Sequence, residues 1–421
     1  MILVCKGSAK KLQTLCRGRN LCRLFALEGK PALVIRPPQV EVLRPSPVKI
    51  LVAPDKFKGS LSATAAVAAI TRGWRAVFPD AVFEAAPIAD GGEGFAEALC
   101  LALGGEWVRR TARDPIGRDV EASYVWIEKD RLAVIEMSEA SGLWRLKSDE
   151  VAPLRASTFG TGQLMRDAAE RGAKTILVGL GGSATTDGGI GMAAALGCKF
   201  LDRAGAELEP VPENLSSLAR IASHTAIPLP EIIAACDVQN PLLGPRGTAR
   251  VFSPQKGADP ATVETLELHL TNLADVVARD LRVDFRETPG AGAAGGIGFG
   301  LLSFCGAKIQ GGFDVVAEAL HIEKRIAECD LVITGEGRLD TQTLEGKGPA
   351  GIAALARKCG KPVLAFAGSV ADDPMVARIF TATLGIIDEP VTMADAMARG
   401  AEFLERAATR AARLISLGKT L

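Results

Sequence analysis

The chain has 421 residues, 48% of them apolar and 23% charged, which is typical of a globular protein with room for two or three domains. Its formal net charge is zero and it contains one Tyr, so neither a basic nor a base-stacking nucleic-acid surface is indicated. No apolar run reaches the roughly 18 residues of a membrane span. The nine cysteines show neither a C-x-x-C pair nor zinc-ligand spacing. We therefore expect a cytoplasmic protein with reduced thiols and no nucleic-acid or membrane partner.

Residues 1–47 differ from the rest of the chain. They hold nine basic residues against two acidic ones, and five prolines. An Arg-rich, acid-poor segment fits a transit peptide, although serines are few here. A predicted buried strand starts directly at Val48. The valine codon GUG can also serve as a start codon, so translation can begin at this position. We expect residues 1–47 to be an unstructured extension or the product of a start assigned too early.

Strands and helices alternate from Val48 onwards. Lys49 to Ala53 is predicted to be a strand, and residues 63–77 an alanine-rich helix capped by Ser60 or Ser62. The loop between them carries two lysines, including Lys58, where a strand ends and a helix begins. Such a place suits a phosphate, and a solvated turn is the alternative.

A glycine turn with two carboxylates follows the second predicted strand, Phe83 to Ile88. Asp90 and Glu93 lie in this turn, before a predicted helix over Phe95 to Leu103. Paired carboxylates in a loop suit a metal or a proton relay, and helix capping is the alternative.

A hairpin and a helix follow. Residues 122–127 and 132–137 predict two strands joined by a charged turn. The run Ser157 to Gly162 precedes a predicted helix over residues 163–171. It resembles an anion site at a helix start, with an ordinary capped turn as the alternative.

The richest glycine loop is Gly179 to Gly191, between a predicted strand at Thr175 to Val178 and a helix-like run. Loop amides and a helix start suit an anionic group. Asp187 is the only ionisable side chain in the loop. A carboxylate in an anion site indicates work on a metal or a proton, whereas in a plain turn Asp187 would cap the helix.

Two later segments carry candidate or misleading signals. A strand at Glu231 to Ala235 leads towards Asp237, and Lys256 also lies at an element end; plain turn polarity is the alternative for each. The G-x-G-x-x-G match at residues 290–295 does not follow a strand, so we reject a dinucleotide site. We expect these glycines to let a helix or hinge pack closely.

A strand at Asp330 to Thr334 runs into Glu336, Arg338 and Asp340, and a helix is predicted over residues 350–359. The alternation of strands and helices predicts parallel sheets, whose ligands gather beyond the carboxyl ends of the strands. The sequence has no P-loop, and its three histidines lie outside the glycine loops, so a P-loop site and a histidine triad have little support.

Five blocks in this order resemble the type-1 glycerate kinases, and the resemblance covers roughly Val48 to the C-terminus. The blocks span residues 53–60, 89–94, 181–189, 290–296 and 334–340. Two positions depart from the usual pattern, with Lys56 where the family often has Ser and Thr186 where it often has Asn. These departures put individual substrate contacts in question.

The resemblance implies an α/β fold of two domains with a cleft between them. One domain would be discontinuous, made of residues 48–90 plus 290–421, with a largely parallel, Rossmann-like sheet. Residues 91–289 would form the inserted second α/β domain.

The resemblance also implies transfer of the ATP γ-phosphoryl group to D-glycerate, with Mg²⁺ and with 2-phosphoglycerate favoured over 3-phosphoglycerate. The roles that the resemblance implies for individual residues of this chain are hypotheses. The catalytic candidates are Asp187 at the acceptor hydroxyl, Lys58 and Arg338. The metal candidates are Asp90, Glu336 and Asp340. The candidates for binding substrate or phosphate are Ser60, Gly160, Thr161, Gly162, Gly181, Gly182, Ser183, Lys256 and Lys347.

Other functions stay open at this point. A related small hydroxy acid can replace glycerate as the acceptor, and a protein that kept the cleft without catalysis would be an acid-binding sensor. An oxidoreductase would need a strand before the G-x-G-x-x-G loop. A homodimer is compatible with the sequence, which does not fix the oligomeric state.

Overall fold

The computed structural model describes residues 47–89, 91–222, 228–340, 343 and 348–418. The predicted extension up to residue 46, Asp90 and Lys347 lie outside the described residues. Within the described ranges, no helix is both long enough and apolar enough to cross a membrane.

The first sheet brings together strands from both ends of the described chain. They are β1 (Lys49–Val52), β2 (Val82–Ala85), β11 (Leu331–Leu339), β12 (Val363–Val370) and β13 (Ala382–Gly385). All neighbours are parallel, in the order β13-β12-β11-β1-β2. Ile50, Leu51 and Val52 are fully buried. A strand covered on both faces needs such a continuous apolar run, which is why β1 is recognisable in the sequence.

The second sheet comes from the middle of the chain. It contains β3 (Glu106–Arg113), β4 (Asp119–Ile127), β5 (Leu132–Glu136), β6 (Thr175–Gly179), β9 (Glu231–Ala235) and β10 (Lys308–Gln310), in the order β10-β9-β6-β5-β4-β3. The pairs β3–β4 and β4–β5 are antiparallel, which confirms the predicted hairpin, and the remaining pairs are parallel. The strands β7 (Lys199–Leu201) and β8 (Arg220–Ala222) form a separate antiparallel pair.

Helices fill the connections between the strands. They are α1 (Ala63–Arg75), α2 (Phe95–Leu103), α3 (Ser138–Ser141), α4 (Phe159–Glu170), α5 (Ile190–Ala195), α6 (Thr248–Phe252), α7 (Pro260–Asp280), α8 (Ala293–Cys305), α9 (Gly312–Ala319), α10 (Ile322–Glu328), α11 (Pro349–Lys358), α12 (Pro374–Ile379), α13 (Met393–Ala398) and α14 (Gly400–Gly418). Short 3₁₀ turns cover Leu143–Arg145, Pro212–Ser217 and Pro254–Lys256. The Ser62 hydroxyl accepts a hydrogen bond from the Ala65 amide, so Ser62 is the cap of α1. Together with the sheets, these helices confirm the predicted α/β fold.

One buried hydrophobic cluster joins the two sheets. It contains Leu51 and Val332 from the first sheet, Val134 and Leu177 from the second, and the apolar faces of α2, α9, α10 and α11. The outer face of the first sheet is covered by α1 and α14, and that of the second by α4 and α8. Strand β10 lies beyond residue 290 and still belongs to the second sheet, so the change of sheet comes after Gln310 rather than at residue 290. The division into two domains stays a prediction.

The glycines near residue 295 allow a close contact between backbones. Ala294, Gly295 and Gly296 have positive φ angles of 50°, 79° and 85°. A Cβ atom on Gly295 would lie 1.8 Å from the Thr185 carbonyl oxygen, a distance that no side chain could occupy. The Gly188 amide also donates to the Gly295 carbonyl at 3.0 Å. The prediction of close packing is therefore confirmed for this segment.

Gly73 is expected to be essential for the packing of α1 on α14. In an exposed helix, replacement of Gly by Ala usually stabilises by up to about 1 kcal/mol. Here the new Cβ would lie 2.5 Å from the Glu405 carbonyl oxygen and 2.8 Å from the Ala408 Cβ. We expect Gly73→Ala to lower the free energy of unfolding in urea by about 1–3 kcal/mol, because overpacking displaces a helix. Gly385→Ala is the control, since its Cβ would meet nothing within 4 Å. Equal stability of the two variants would contradict this account.

Candidate active site

A cavity of about 1220 Å³ opens at the carboxyl ends of strands in the first sheet. Its walls come from the loop after β1, the end of β11, the end of β12, the start of α11 and residues 386–400. Ligands of parallel α/β sheets bind outside the carboxyl ends of the strands. The cavity therefore lies where parallel α/β sheets usually bind their ligands.

The loop after β1 supplies cations and a carboxylate to the cavity. Lys58 is exposed and lines it, whereas Asp55 is only 9% exposed. The Lys56 ammonium donates to the Glu93 carbonyl at 2.9 Å, which links this loop to the turn before α2. The Ser60 hydroxyl donates to the Met397 carbonyl at 2.6 Å. Ser60 thus lines the cavity with its proton directed at the protein backbone, and its role in binding substrate or phosphate stays a prediction.

The end of β11 supplies the predicted acidic and basic groups. Glu336, Arg338 and Asp340 all line the cavity. The Thr343 hydroxyl donates to Glu336 Oε1 at 3.0 Å and accepts from the Asp340 amide at 3.1 Å. The Arg338 Nε lies 3.0 Å from Asp340 Oδ2, and the Arg338 side chain is 72% exposed. The guanidinium therefore keeps donors available on the cavity side.

The start of α11 also faces the cavity. Gly348 and Pro349 line it, and Gly348 has a φ of 49°. A Cβ on Gly348 would lie 3.1 Å from Asp55 Oδ2, so the chain needs glycine both for its backbone angle and for this close approach. The amides at a helix N-terminus attract anions. This end of the cavity therefore suits a phosphate group.

The carboxylates of the cavity fit a magnesium ion that is shared with a phosphate. Glu336 and Asp340 place carboxylate oxygens in the cavity at the end of β11. Mg²⁺ commonly binds one or two carboxylates together with substrate phosphates and water. Among the residues that the structure describes, no group of three His, Cys, Asp or Glu side chains could hold a metal ion without such help. The metal roles of Glu336 and Asp340 stay predictions, and Asp90 lies outside the described residues.

Asp187 is placed differently from the prediction. Its side chain is fully buried and does not line the cavity. Asp187 Oδ2 accepts from the Thr158 amide, the Thr158 hydroxyl and the Gly191 amide, and its Oδ1 accepts from the Gly189 amide. Burial raises the pKa of this carboxyl, and the four hydrogen bonds oppose that shift. In this structure Asp187 therefore fixes the starts of α4 and α5, which is the capping alternative in a buried form, and its role at the acceptor hydroxyl stays a prediction.

The predicted anion loop at residues 160–162 is also a packing contact. Gly160, Thr161 and Gly162 are all buried. A Cβ on Gly160 would lie 1.9 Å from the Arg113 carbonyl oxygen, and one on Gly162 would lie 2.4 Å from that of Met192. The two glycines let α4 approach its neighbours, and the role of the three residues in binding phosphate stays a prediction.

Lys256 is a buried support for the glycine loop. It is 1% exposed, and its ammonium donates to Ser183 Oγ at 2.8 Å and to the Thr185 carbonyl at 2.5 Å. Burial lowers the pKa of Lys256 to about 7, while the Asp187 carboxylate opposes that shift. In this structure Lys256 therefore supports the loop, and its role in binding phosphate stays a prediction. The Ser183 hydroxyl, another predicted phosphate ligand, is engaged by Lys256.

Gly181 approaches the turn that follows β2, and Gly182 approaches the start of α3. A Cβ on Gly181 would meet the Gly92 Cα at 2.7 Å, and one on Gly182 would meet the Ser138 Cβ at 3.3 Å. Neither glycine lines the cavity at the first sheet. The loop at residues 181–183 therefore touches the Gly92 turn, while Lys56 contacts the same turn at Glu93.

Glu136 is a buried acid that the sequence did not reveal, because it ends an ordinary strand. It is 9% exposed, and its Oε1 accepts from the Ala96 amide at 2.8 Å, at the start of α2. Burial raises the pKa of Glu136 to about 7; the neighbouring Glu139 carboxylate adds to the shift, and the Ala96 amide opposes it. Glu136 thus holds the turn before α2 against the second sheet.

Glu136 is expected to make stability depend on pH. Its ordinary pKa is 4.5, so between about pH 4.5 and 7 the folded state keeps a proton that the unfolded state has released. The free energy of unfolding therefore falls as pH rises through this range. Glu136→Gln has no carboxyl to titrate, so its stability relative to the parent should rise from pH 5 to pH 8 by up to about 3 kcal/mol. Urea unfolding at several pH values measures this difference.

The matched control is Glu170→Gln, at a half-exposed acid on α4. We expect it to show no comparable gain between pH 5 and pH 8. A difference between Glu136→Gln and the parent that stays constant over this range would contradict the assignment.

Comparisons with known proteins agree on one family. A sequence model described as the glycerate kinase family matches residues 50–416. The chain is 42% identical to a glycerate kinase of Bacillus subtilis (strain 168), with 89% of this chain and 99% of the relative covered. It is 44% identical to a glycerate 2-kinase of Escherichia coli (strain K12), with 77% of this chain and 86% of the relative covered. A crystal structure from Salmonella typhimurium LT2, assigned as a glycerate kinase 2, matches with a TM-score of 0.81 and 41% identity, covering 89% of this chain and all of that one.

Proposed function

We propose a mechanism on the premise that this chain belongs to the glycerate kinase family, and is therefore an enzyme that phosphorylates glycerate. ATP is the donor, D-glycerate is the acceptor, and 2-phosphoglycerate is the product. The Escherichia coli relative, a glycerate 2-kinase, supports that position of transfer. The observation that carries the proposal is the cavity where Lys58, Arg338, Glu336 and Asp340 meet at the carboxyl ends of β1 and β11.

Phosphoryl transfer depends on position and charge more than on covalent help from the protein. Its transition state is loose, with charge spread over the oxygens of the transferred group. Lys58 and the amides at the start of α11 neutralise that charge from two sides of the cavity. The exposed Arg338 binds the glycerate carboxylate, because a guanidinium can donate to both of its oxygens. Together these groups hold donor and acceptor in a reactive arrangement.

Glu336 and Asp340 would hold Mg²⁺ in this proposal. The ion would offset the negative charge of the ATP phosphates. Thr343 orients the site, since its hydroxyl contacts Glu336 Oε1 and the Asp340 amide. The Arg338–Asp340 ion pair keeps the carboxylate and the glycerate-binding cation next to each other.

This mechanism does not use Asp187, whose role at the acceptor hydroxyl stays a prediction. The Asp187 carboxylate is closed off by backbone and hydroxyl donors. The cytoplasmic location expected from the sequence stays a prediction, and a homodimer stays compatible with the sequence without being fixed by it.

Incubation with ATP, Mg²⁺ and D-glycerate, followed by NMR identification of the product, tests the reaction and its position together. We expect 2-phosphoglycerate. Lys58→Met should lower kcat/KM by about 10²-fold or more, because a cation that meets the transferred charge is lost. Lys129→Met, in the exposed turn between β4 and β5, is the control and should retain the rate of the parent.

The outcomes separate the parts of this proposal. Absence of any phosphoglycerate would reject the reaction, and formation of 3-phosphoglycerate would reject the position of transfer. If Lys58→Met kept the parental kcat/KM, the phosphate would not bind at this end of the cavity.

A further inference from the structure

A methionine-bearing helix forms the apolar wall of the cavity. Met393 and Met397 on α13 are 74% and 40% exposed, although large apolar side chains are usually buried. They line the cavity together with Ile386, Ile387 and Val391. A contiguous apolar surface beside a few polar groups is characteristic of a ligand site. We therefore expect the ligand to present an apolar surface to this wall.

The other side of the same cavity is polar. Lys58, Arg338, Glu336 and Asp340 line it together with the start of α11. A single ligand that contacts both sides must therefore have one anionic end and one apolar end. Glycerate has three carbon atoms, a carboxylate and two hydroxyls, so it offers no surface for the methionine wall. A nucleoside triphosphate has both ends in one molecule.

The two sides are tied to each other through the loop after β1. The Ser60 hydroxyl donates to the Met397 carbonyl at 2.6 Å. A Cβ on Gly59 would lie 3.8 Å from the Met397 Cε, so this loop passes close to the methionine side chain. Lys58 belongs to the same loop. One ligand can therefore contact the methionine wall and Lys58 at the same time.

We propose that Met393 and Met397 form the nucleoside subsite of the enzyme and pack against the purine base of ATP. This assignment rests on the proposed function, because it takes ATP as the donor. A thioether is polarisable and adapts to the shape of its partner, and it makes favourable contacts with aromatic rings. The base occupies the apolar wall, the phosphates point to Lys58 and α11, and glycerate takes the remaining space near Arg338.

Binding of ADP in the absence of glycerate tests the subsite without turnover. Isothermal titration calorimetry compares the parent with the double variant Met393→Ala/Met397→Ala. We expect the Kd for ADP to rise about tenfold or more, because the base loses apolar contact area. The Kd for inorganic tripolyphosphate, which has no base, should stay unchanged in the same variant when it is measured in the same way.

Two further variants serve as controls. Met375→Ala removes an exposed methionine on α12, outside the cavity lining, and should leave the ADP affinity unchanged. Met393→Leu/Met397→Leu keeps the apolar area and should bind ADP within a fewfold of the parent. It also separates the loss of a contact from a damaged fold, since leucine suits a helix as well as methionine does.

Unchanged ADP affinity in the alanine double variant would overturn the subsite, as would an equal loss of tripolyphosphate binding. Failure of the proposed function has a different signature. A parent protein that binds ADP through the methionines but forms no phosphoglycerate would keep the subsite and reject the reaction. A parent that forms phosphoglycerate while both alanine substitutions leave ADP binding unchanged would keep the reaction and reject the subsite.

Discussion

The parallel pairing of β1 with β11 creates the site from two distant parts of the chain. Val52 lies opposite Ile333, and the Ala53 and Asp55 amides donate to the Ile333 and Gly335 carbonyls at 2.7 and 2.8 Å. The buried Thr334 hydroxyl adds a hydrogen bond to the Ala53 carbonyl at 2.8 Å. Because the strands are parallel, both chain segments leave the sheet at the same edge. Lys58 and the acidic groups after β11 meet for this reason.

The second sheet provides a rigid support beside this edge. Its loops are held by buried polar contacts, namely four donors on Asp187 and the Lys256 ammonium on Ser183 and Thr185. Such buried groups must have partners, because an unpaired charge in the interior is costly. The glycine loop after β6 contacts the turn at Gly92, and Lys56 in the loop after β1 contacts the same turn at Glu93. That turn is thus contacted from both sheets, in addition to the buried cluster that joins them.

Features that depend on local pattern could be predicted from the sequence, and those that depend on the tertiary environment could not. The apolar run of β1 and the Ser62 cap of α1 are local features. Because ligands of parallel sheets bind at the carboxyl ends of the strands, the predicted strands then place Lys58, Glu336 and Asp340 at one edge. The sequence does not tell whether a polar loop residue points to solvent or to the interior. Asp187 and Lys256 both satisfy buried backbone groups, and the helix with Met393 has no motif that marks it.

Crystals of the enzyme with D-glycerate and a non-hydrolysable ATP analogue give the most direct test of where the reaction takes place. The account predicts that both ligands lie in the cavity at the ends of β1 and β11, with the γ-phosphate near Lys58 and the glycerate carboxylate near Arg338. Ligand bound at the Gly181–Ser183 loop instead, with the Asp187 carboxylate opened towards the acceptor hydroxyl, would contradict it.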